Sequence, residues 1–420
     1  MKKYFTLISF SLLFFSSDIY SQWYRQYIDA NITIEDVRFI DKYTGWLCGA
    51  DLIYKTTNGG KNWINQPNQT NNLIRQIHPV DEEIVYACGY RVILKTSNGG
   101  KDWITLREGS GLVPQLNGLW FYNKNTGWFC GDLAVMRTTN GGNTFIDSMR
   151  IEGLLHDIYF KDSTTGNICG SINRTILRSI NSGYNWYGVL LPINSTIVPY
   201  IYRQSFQGDL GWLASRNNVV YKTTDFGIYW DSISLIPRHP SFGHTFCIVF
   251  GNTQTGYAGG DSGKIHKSID GGYTWEELNT SEFGIFGFLS MYAYNENIVW
   301  AVGGGGKILY TENGGGILVN IFENNLINKK ELTLHQNFPN PFNPATNIQF
   351  DLPEDNYVTI KVYDITGKEI YTLVSEFKQA GRYIVSFNGS SAKGGLASGI
   401  YYYRIKAGNF EQVRKMMMIK

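Results

Sequence analysis

Hydrophobic and polar residues alternate with period two over short stretches, and the stretches recur in a fixed order. Asp36-Val37-Arg38-Phe39-Ile40 alternates, and Asp41 to Gly45 is a polar turn. Trp46-Leu47-Cys48-Gly49 and Leu52-Ile53-Tyr54-Lys55-Thr56 follow, and after an Asn-Gly-Gly turn Trp63-Ile64 opens a fourth stretch. Short alternating runs bounded by turn residues predict strands. The same frame returns as Ile248-Val249-Phe250, Gly256-Tyr257-Ala258-Gly259, Lys264-Ile265-His266-Lys267-Ser268 and Trp275-Glu276-Glu277-Leu278. Each unit therefore predicts four strands joined by tight turns.

The turn before the fourth strand carries the pattern Ser/Thr-x-Asp/Asn-x-Gly-x-x-Trp/Phe. It occurs seven times, ending at Trp63, Trp103, Phe145, Trp186, Trp230, Trp275 and Leu318, where only the last lacks the aromatic. Its glycines, Gly60, Gly100, Gly142, Gly183, Gly227, Gly272 and Gly315, are spaced by 40, 42, 41, 44, 45 and 43 residues. A period in the low forties with strand content predicts an all-β fold: a seven-bladed β-propeller of four-stranded blades. Asn58, Asn98, Asn140, Asn181, Asp225, Asp270 and Asn313 are read as structural turn residues whose side chains accept backbone N–H groups. Only two of the seven are carboxylates, which argues against a metal or catalytic role. The N-terminal Gln22-Trp23-Tyr24-Arg25-Gln26 repeats the fourth-strand pattern of Asn62-Trp63-Ile64-Asn65-Gln66, so residues 22–28 are expected to complete the last blade and remove its free edge. The alternative is that Ile317 to Phe322 does so.

These turns resemble Asp-box (BNR-type) repeats. The fuller pattern, best seen from Gly45 to Trp63 and from Gly256 to Trp275, is similar to the photosystem II stability/assembly-factor propellers. The resemblance covers about residues 22–320 and implies the fold; it does not imply a photosynthetic role, because one propeller scaffold hosts many activities.

After Gly316 the rhythm stops. Residues 323–332 are rich in Asn and Lys and read as a linker. A Pro-punctuated stretch from Gln336 to Pro344 leads into strands at 347–352, 357–363, 369–374, 381–387, 399–406 and 410–419, which predict a small Ig-like β-sandwich over 333–420. Asn337 to Pro344, Val362-Tyr363-Asp364-Ile365-Thr366-Gly367, Ala380-Gly381-Arg382-Tyr383, Ser398-Gly399-Ile400-Tyr401-Tyr402-Tyr403 and the basic, apolar terminus Lys415 to Lys420 closely resemble the type A C-terminal sorting domain of type IX secretion cargo. That resemblance implies the type IX secretion machinery as partner, passage across the outer membrane, and then removal of the domain or anchoring at the surface. The competing reading is a generic carbohydrate-binding sandwich.

The N-terminus fits export. Lys2 and Lys3 precede an apolar run from Tyr4 to Phe15, and Ser16 to Ser21 is small and polar, which predicts a signal peptide over 1–21 cleaved after Ser21. The run is shorter than the ~20 residues of a spanning helix, and no other stretch is long enough, so no transmembrane segment is expected in the mature chain. A net charge of +2 gives no reason to expect nucleic acid. Charged residues make up only 17% of the chain and aromatics 15%, which suits an all-β protein rich in turns. Cys48, Cys88, Cys130 and Cys169 recur in register, with Ala214, Ala258 and Val302 in the later repeats. A slot that alternates Cys with Ala and Val is a buried apolar position, so free core thiols are expected rather than disulfides. Cys247 makes the count odd. No cofactor or metal motif is present.

The candidate site is the funnel rim. Loops entering each first strand supply Glu35, Arg75, Asn117, His156, Tyr202, Arg203 and His244; loops between second and third strands supply Asp51, Arg91, Asp132, Arg174, Arg216, Asp261, Lys264 and Lys307. The binding candidates among them are Glu35, Arg75, Arg91, Asn117, His156, Arg174, Arg203, Arg216, His244 and Asp261. No residue is assigned as catalytic. Units of 40–45 residues leave little chain for a substrate pocket, the longest inserts being 187–200 and 231–245. The expectation is a non-catalytic, exported propeller that binds a protein or glycan. The alternative is a glycoside hydrolase of the sialidase or xyloglucanase type, although the Arg-Ile-Pro signature of sialidases is absent.

Overall fold

The computed structural model describes residues 23–109, 114–192, 199–237, 243–278, 280, 283, 287–315, 332–337, 340–391 and 395–419. The expected signal peptide and its cleavage site, the segment Ile317 to Phe322 and all of the linker except Leu332 lie outside them. The chain divides into two compact units, Met1–Val319 and Asn320–Lys420. Among the described residues strands dominate, and the helical elements are single turns at Gly304–Gly306 and Gly389–Ser391.

In the first unit the sheets are antiparallel and mostly four-stranded, in chain order from the inside out. Asp36–Phe39, Gly45–Gly49, Leu52–Thr56 and Ile64–Asn65 form one; Ile74–Pro79, Val85–Gly89, Val92–Thr96 and Trp103–Glu108 the next. The innermost strands pack side by side. Asp36–Phe39 touches Ile74–Pro79, which touches Leu116–Phe121, then Ile146–Phe160, Ile201–Gln207, Thr245–Phe250 and Phe288–Ala293, which returns to Asp36–Phe39. That ring of sheets is a β-propeller.

One stretch departs from the expected four-strand units. The third and fourth repeats run together as a six-stranded sheet, because Gly127–Thr138 and Ile146–Phe160 are each continuous where two strands were expected. Elsewhere the second-to-third turn is closed by a residue in the left-handed region, such as Ala50, Arg91, Asn173, Asn218 or Gly263. At Asp132 and Leu133 no residue takes a positive φ, so the chain shifts register without breaking the ladder.

Tyr24–Gln26 pairs antiparallel with Ile308–Thr311, with Tyr24 opposite Tyr310 and Gln26 opposite Ile308. Residues from the N-terminus thus supply the outer strand of the last sheet. Trp23, 2% exposed, packs edge-on to Tyr257 at 6.3 Å.

The first six turns share one hydrogen-bond scheme, and the seventh shows its Thr311 part among the described residues. In the second, Thr96 Oγ1 accepts from the N–H of Gly100 at 2.9 Å and of Asn98 at 3.3 Å, and Asn98 Oδ1 accepts from the N–H of Asp102 at 2.9 Å. Asp225 and Asp270 act as the asparagines do: Asp225 Oδ1 accepts from Ile228 and Tyr229 N–H, and Asp270 Oδ1 from Tyr273 and Thr274 N–H.

All five cysteines are free and buried. The sixth repeat corrects the expected register by one residue. Gly260 pairs with Thr245 as Gly89 pairs with Ile74, so Gly259, not Ala258, fills the slot of Cys88. Cys247 from the facing strand occupies that space and points its thiol at Gly259 O, 3.4 Å away.

The glycine after the slot is fixed by crowding. A Cβ at Gly89 would lie 1.9 Å from Leu73 O, and one at Gly131 the same distance from Gln115 O. The fifth repeat has Ser215 there. The second strand is thus pressed against the backbone that leads into the first.

The second unit has two antiparallel sheets. Thr333–Leu334, Ala345–Leu352 and Gly381–Asn388 form one; Glu369–Lys378, Asn356–Tyr363, Gly399–Ala407 and Phe410–Met418 the other. Ile348, Phe350 and Phe387 from the first share a core with Val358, Ile360, Val362, Ile405 and Met416 from the second. Tyr403 Oη donates to His335 O at 2.6 Å and accepts from Asn337 N–H at 2.7 Å, which ties the incoming segment to the core.

Gly89→Ala should destabilise the protein by about 1–3 kcal/mol, the usual range for overpacking. Ser215→Gly should change stability far less, because the fifth repeat already accommodates a side chain there. Thermal melts of the two variants check this; equal losses would contradict the crowding argument.

Candidate functional site

Six of the seven inner strands skip residues in their ladders near the start, and Asp36–Phe39 pairs without a break. The register shifts between Ile74 and Gln76, Leu116 and Gly118, Leu155 and Asp157, Thr245 and Cys247, and Phe288 and Ser290. In the fifth repeat it shifts between Ile201 and Gln204, so two residues are skipped there. Bulges of this kind re-aim side chains out of the sheet. The skipped residues are Arg75, Asn117, His156, Tyr202, Arg203, Phe246 and Leu289, and together with Glu35 they line one cavity of about 230 Å³.

The floor is a buried ion network. Arg203 Nη2 lies 3.6 Å from Asp36 Oδ1 and Nη1 3.8 Å from Asp157 Oδ1, and Nη2 donates to Glu35 O at 3.4 Å. Asp36 also accepts from Ser290 Oγ at 2.6 Å and Ile77 N–H at 3.2 Å, and pairs with Arg38 at 3.4 Å. Asp157 accepts from Gln76 Nε2 at 3.0 Å and Gln204 N–H at 3.1 Å. These groups come from five of the inner strands, so the network ties the sheets across the axis.

Burial sets the protonation here. It pushes the Asp157 carboxyl up, against the pull of Arg203 and Arg38. Glu35 is also raised by burial, with Arg75 and Arg203 opposing. Burial works against the charge of Arg203, but Asp36 and Asp157 outweigh it and raise its affinity for the proton. His156 is pushed down to about 4 by burial, with Arg203 and Arg75 adding to the effect. His78, behind the network, is pushed down to about 4 by burial and then by Arg38.

Two polar groups at the cavity lack a partner: Arg75 Nε and Asn117 Oδ1. Asn117 is 8% exposed, and its Nδ2 donates to Leu155 O at 2.9 Å and to Asp132 Oδ1 at 3.3 Å.

Of the residues expected at the rim, Glu35, Arg75, Asn117, His156 and Arg203 are brought together. Arg91, Arg174, Arg216, His244 and Asp261 do not line this cavity. Arg91 has φ 58° and lies over the Tyr90 ring at 4.8 Å. Arg174 has φ 62° in its turn, and Arg216 lies 5.9 Å from the Tyr200 ring. His244 Nδ1 and Asp261 Oδ2 pair at 2.7 Å beside His266 at a separate, small pocket. Sequence reasoning missed Phe246 and Leu289 and the buried Asp36, Gln76, Asp157 and Ser290. The missed signal is register: position by position, Asp36, Gln76, Gly118, Asp157, Gln204, Cys247 and Ser290 follow the cavity residues.

A larger cleft of about 810 Å³ lies at the seam near the first turn, lined among others by Tyr24, Tyr27, Tyr43 and Trp63. Arg25 covers the Tyr27 ring at 5.0 Å and Lys42 the Tyr43 ring at 4.8 Å, so these rings already have cation partners. Among the described residues no group of three or more His, Cys, Asp and Glu is placed to hold a metal ion, and no helix is long and apolar enough to cross a membrane.

The family model for the photosynthesis system II assembly factor YCF48 matches residues 16–144 and 145–282. The chain belongs to that family. The model for the secretion system C-terminal sorting domain matches residues 336–420. A curated YCF48 relative, the photosystem II assembly lipoprotein Ycf48 of Synechococcus sp. (strain CC9902), is 27% identical over 128 residues, which is 30% of this chain and 38% of that protein. A solved YCF48 bound to D1 peptide superposes at TM-score 0.58 with 17% identity, covering 70% of this chain and 97% of its own. The GH74 xyloglucanase of Xanthomonas campestris superposes at 0.57 with 13% identity, over 79% and 59%. PorZ, a surface component of the type IX secretion system of Porphyromonas gingivalis, does so at 0.52 with 12% identity, over 93% and 60%. At these identities the structural likeness speaks to fold alone. The YCF48-type propeller with its type IX sorting domain supports a secreted or outer-surface protein.

Because His78 and His156 titrate near 4 in the folded chain and near the ordinary 6.5 when unfolded, the unfolded state binds more protons between those values. Their contribution to stability is full above pH 6.5 and is lost as pH falls toward 4. His78→Gln should therefore lose less Tm than the parent between about pH 7 and about pH 4.5. Parallel thermal melts test this; identical pH slopes would refute it.

Proposed function

We propose that this chain is an exported, non-catalytic, seven-bladed propeller that binds a protein or glycan in the axial cavity. The observation that carries this is the convergence of the bulged residues of the inner strands, with Glu35, on one cavity. Glu35, Arg75, Asn117, His156 and Arg203 are its binding residues. A signal peptide over 1–21, cleaved after Ser21, takes the chain across the inner membrane. The propeller spans 22–322, a linker follows, and an Ig-like sorting domain over 333–420 hands the chain to the type IX machinery. A solved YCF48 bound to D1 peptide supports a peptide as one ligand class.

The second reading is a glycoside hydrolase, favoured by the fold likeness to a xyloglucanase. Most such enzymes use two carboxylates flanking the bond to be cut. Glu35 is the one carboxylate that lines the cavity among the described residues, and Asp36 and Asp157 are engaged by Arg203. Neither buried aspartate is available as a second catalytic group.

The mature full-length chain should release no sugar from xyloglucan or sialyllactose. Turnover that disappears in Glu35→Gln would replace the binding reading with the hydrolase one. For export, deleting 333–420 should leave the propeller inside the cell envelope, read by surface protease accessibility of an epitope tag. A truncated chain still found at the surface would overturn the delivery role.

A further inference from the structure

The cavity is divided in two. Following the ring, Glu35, Arg75, Asn117 and His156 come from four successive repeats and form a polar arc; Tyr202, Phe246 and Leu289 come from the next three and form an apolar one. The apolar arc is one wall. Tyr202 packs edge-on to Phe246 at 5.2 Å, and His156 lies 4.8 Å from Tyr202 at the boundary.

The polar arc asks for a donor and an acceptor side by side. Asn117 Nδ2 is spent on a backbone carbonyl and a carboxylate oxygen, which fixes the orientation of the amide and leaves Oδ1 without a donor. Arg75 Nε, on the neighbouring strand, has no acceptor. A buried polar group left unmatched costs about 1–3 kcal/mol, so a ligand that satisfies both is favoured. Charge narrows the choice. Arg203 is neutralised by Asp36 and Asp157, which leaves Arg75 and Glu35, from adjacent repeats, as a charge pair of opposite sign on the lining. A carboxylate ligand would face Glu35 and offer no donor to Asn117. An ammonium ligand would face Arg75 and offer no acceptor. A trans peptide unit directs its N–H and C=O to opposite sides, whereas neighbouring hydroxyls on a sugar each donate and accept along one edge. Size adds a limit: about 230 Å³ is below the roughly 300–1,000 Å³ of pockets for drug-sized ligands, so a single ring fits.

We propose that the axial cavity holds one neutral pyranose ring of a glycan, its hydroxyl edge on Arg75 and Asn117 and its apolar face against Tyr202 and Phe246. This rests on the binding function proposed above and names the ligand class of that site. The neutral His156 ring adds no charge to the pocket at ordinary pH. Glu35 accepts from a further hydroxyl.

The test is saturation-transfer NMR on the mature full-length chain. The probes are the methyl glycosides of glucose, galactose, mannose and N-acetylglucosamine, with glucuronate and N-acetylalanine methylamide as comparators. At least one neutral glycoside should receive saturation from the protein. Asn117→Ala should weaken that binding about tenfold, the loss of one buried hydrogen bond. Because Asn117 also holds Leu155 O, Leu289→Trp provides a second variant that fills the cavity from the apolar side, and it should abolish transfer with unchanged circular dichroism. Arg91→Ala, outside the cavity, should change nothing. Transfer to glucuronate or the methylamide alone would overturn the neutral-sugar assignment and keep the binding function. Transfer to no probe would overturn both, and glycoside binding unaffected by Leu289→Trp would overturn its placement in this cavity.

Discussion

One backbone carbonyl in each Asp-box turn joins each repeat to the one before it. The fourth residue of the turn is Gly59, Gly99, Gly141, Ser182, Phe226, Gly271 or Gly314, and all seven have positive φ, from 56° to 76°. That conformation presents the carbonyl to the preceding repeat. Lys55 Nζ donates to Gly99 O at 2.9 Å, Lys95 Nζ to Gly141 O at 3.0 Å, Trp128 Nε1 to Ser182 O at 2.8 Å and Arg178 Nε to Phe226 O at 3.2 Å. Lys222 Nζ donates to Gly271 O at 3.0 Å and Lys267 Nζ to Gly314 O at 2.9 Å. The last link returns to the start: Trp300 Nε1 reaches Gly59 O at 3.3 Å, and Gln26 Nε2 joins it at 2.8 Å. A hydrogen bond with a charged donor contributes about 1.5–3 kcal/mol, offset here by the burial that lowers Lys222 to about 8. The turn motif is therefore a joint between repeats as well as a lock on its own hairpin, and Ser182 and Phe226 keep the left-handed conformation because the joint requires it.

With the outside held by these joints, the inside is free to vary. The crowded glycines press the second strand against the start of the first, and the first strand bulges at the same level in repeat after repeat. Each bulge delivers a side chain to the axis, whatever its chemistry. The ring thus presents Arg, Asn, His, Tyr, Phe and Leu from equivalent positions without altering the frame. The fifth repeat adds one skipped residue, and that residue is Arg203. Its charge is compensated by Asp36 and Asp157 from other repeats. Removing one member of a buried ion pair leaves the other uncompensated, so these three side chains constrain one another.

The repeat period and the turn chemistry were legible in the sequence because they depend on local rules: an Asx side chain satisfying nearby N–H groups and a glycine with positive φ. The pairing of the N-terminal strand was legible because Trp23 and Gln26 repeat the pattern of Trp63 and Gln66. The cavity was half legible. Reading the loops that enter the first strands finds Glu35, Arg75, Asn117 and His156, but in the sixth repeat the skipped residue is Phe246, two positions after His244. Arg91 and Arg216 were expected at the rim because they are charged and in loops, and they rest on Tyr90 and Tyr200 instead. The joints between repeats were invisible, since they pair a lysine, arginine or tryptophan with a carbonyl in the next repeat, or for Trp300 at the far end of the unit, and no local pattern records that.

The five thiols show how the frame suits export. A secreted chain passes through oxidising surroundings, where free cysteines pair or react. Here burial raises every thiol, Cys247 to about 12 and Cys48, Cys130 and Cys169 well above the ordinary value, so the reactive thiolate is scarce. The slot they fill tolerates Ala214, Gly259 or Val302 in later repeats, so their role is volume against the neighbouring sheet. Thiols needed only for packing can stay reduced in an oxidising compartment as long as the ring stays closed. The joints at the turn carbonyls keep it closed, and in doing so they protect both the axial cavity and the chemistry of the core that surrounds it.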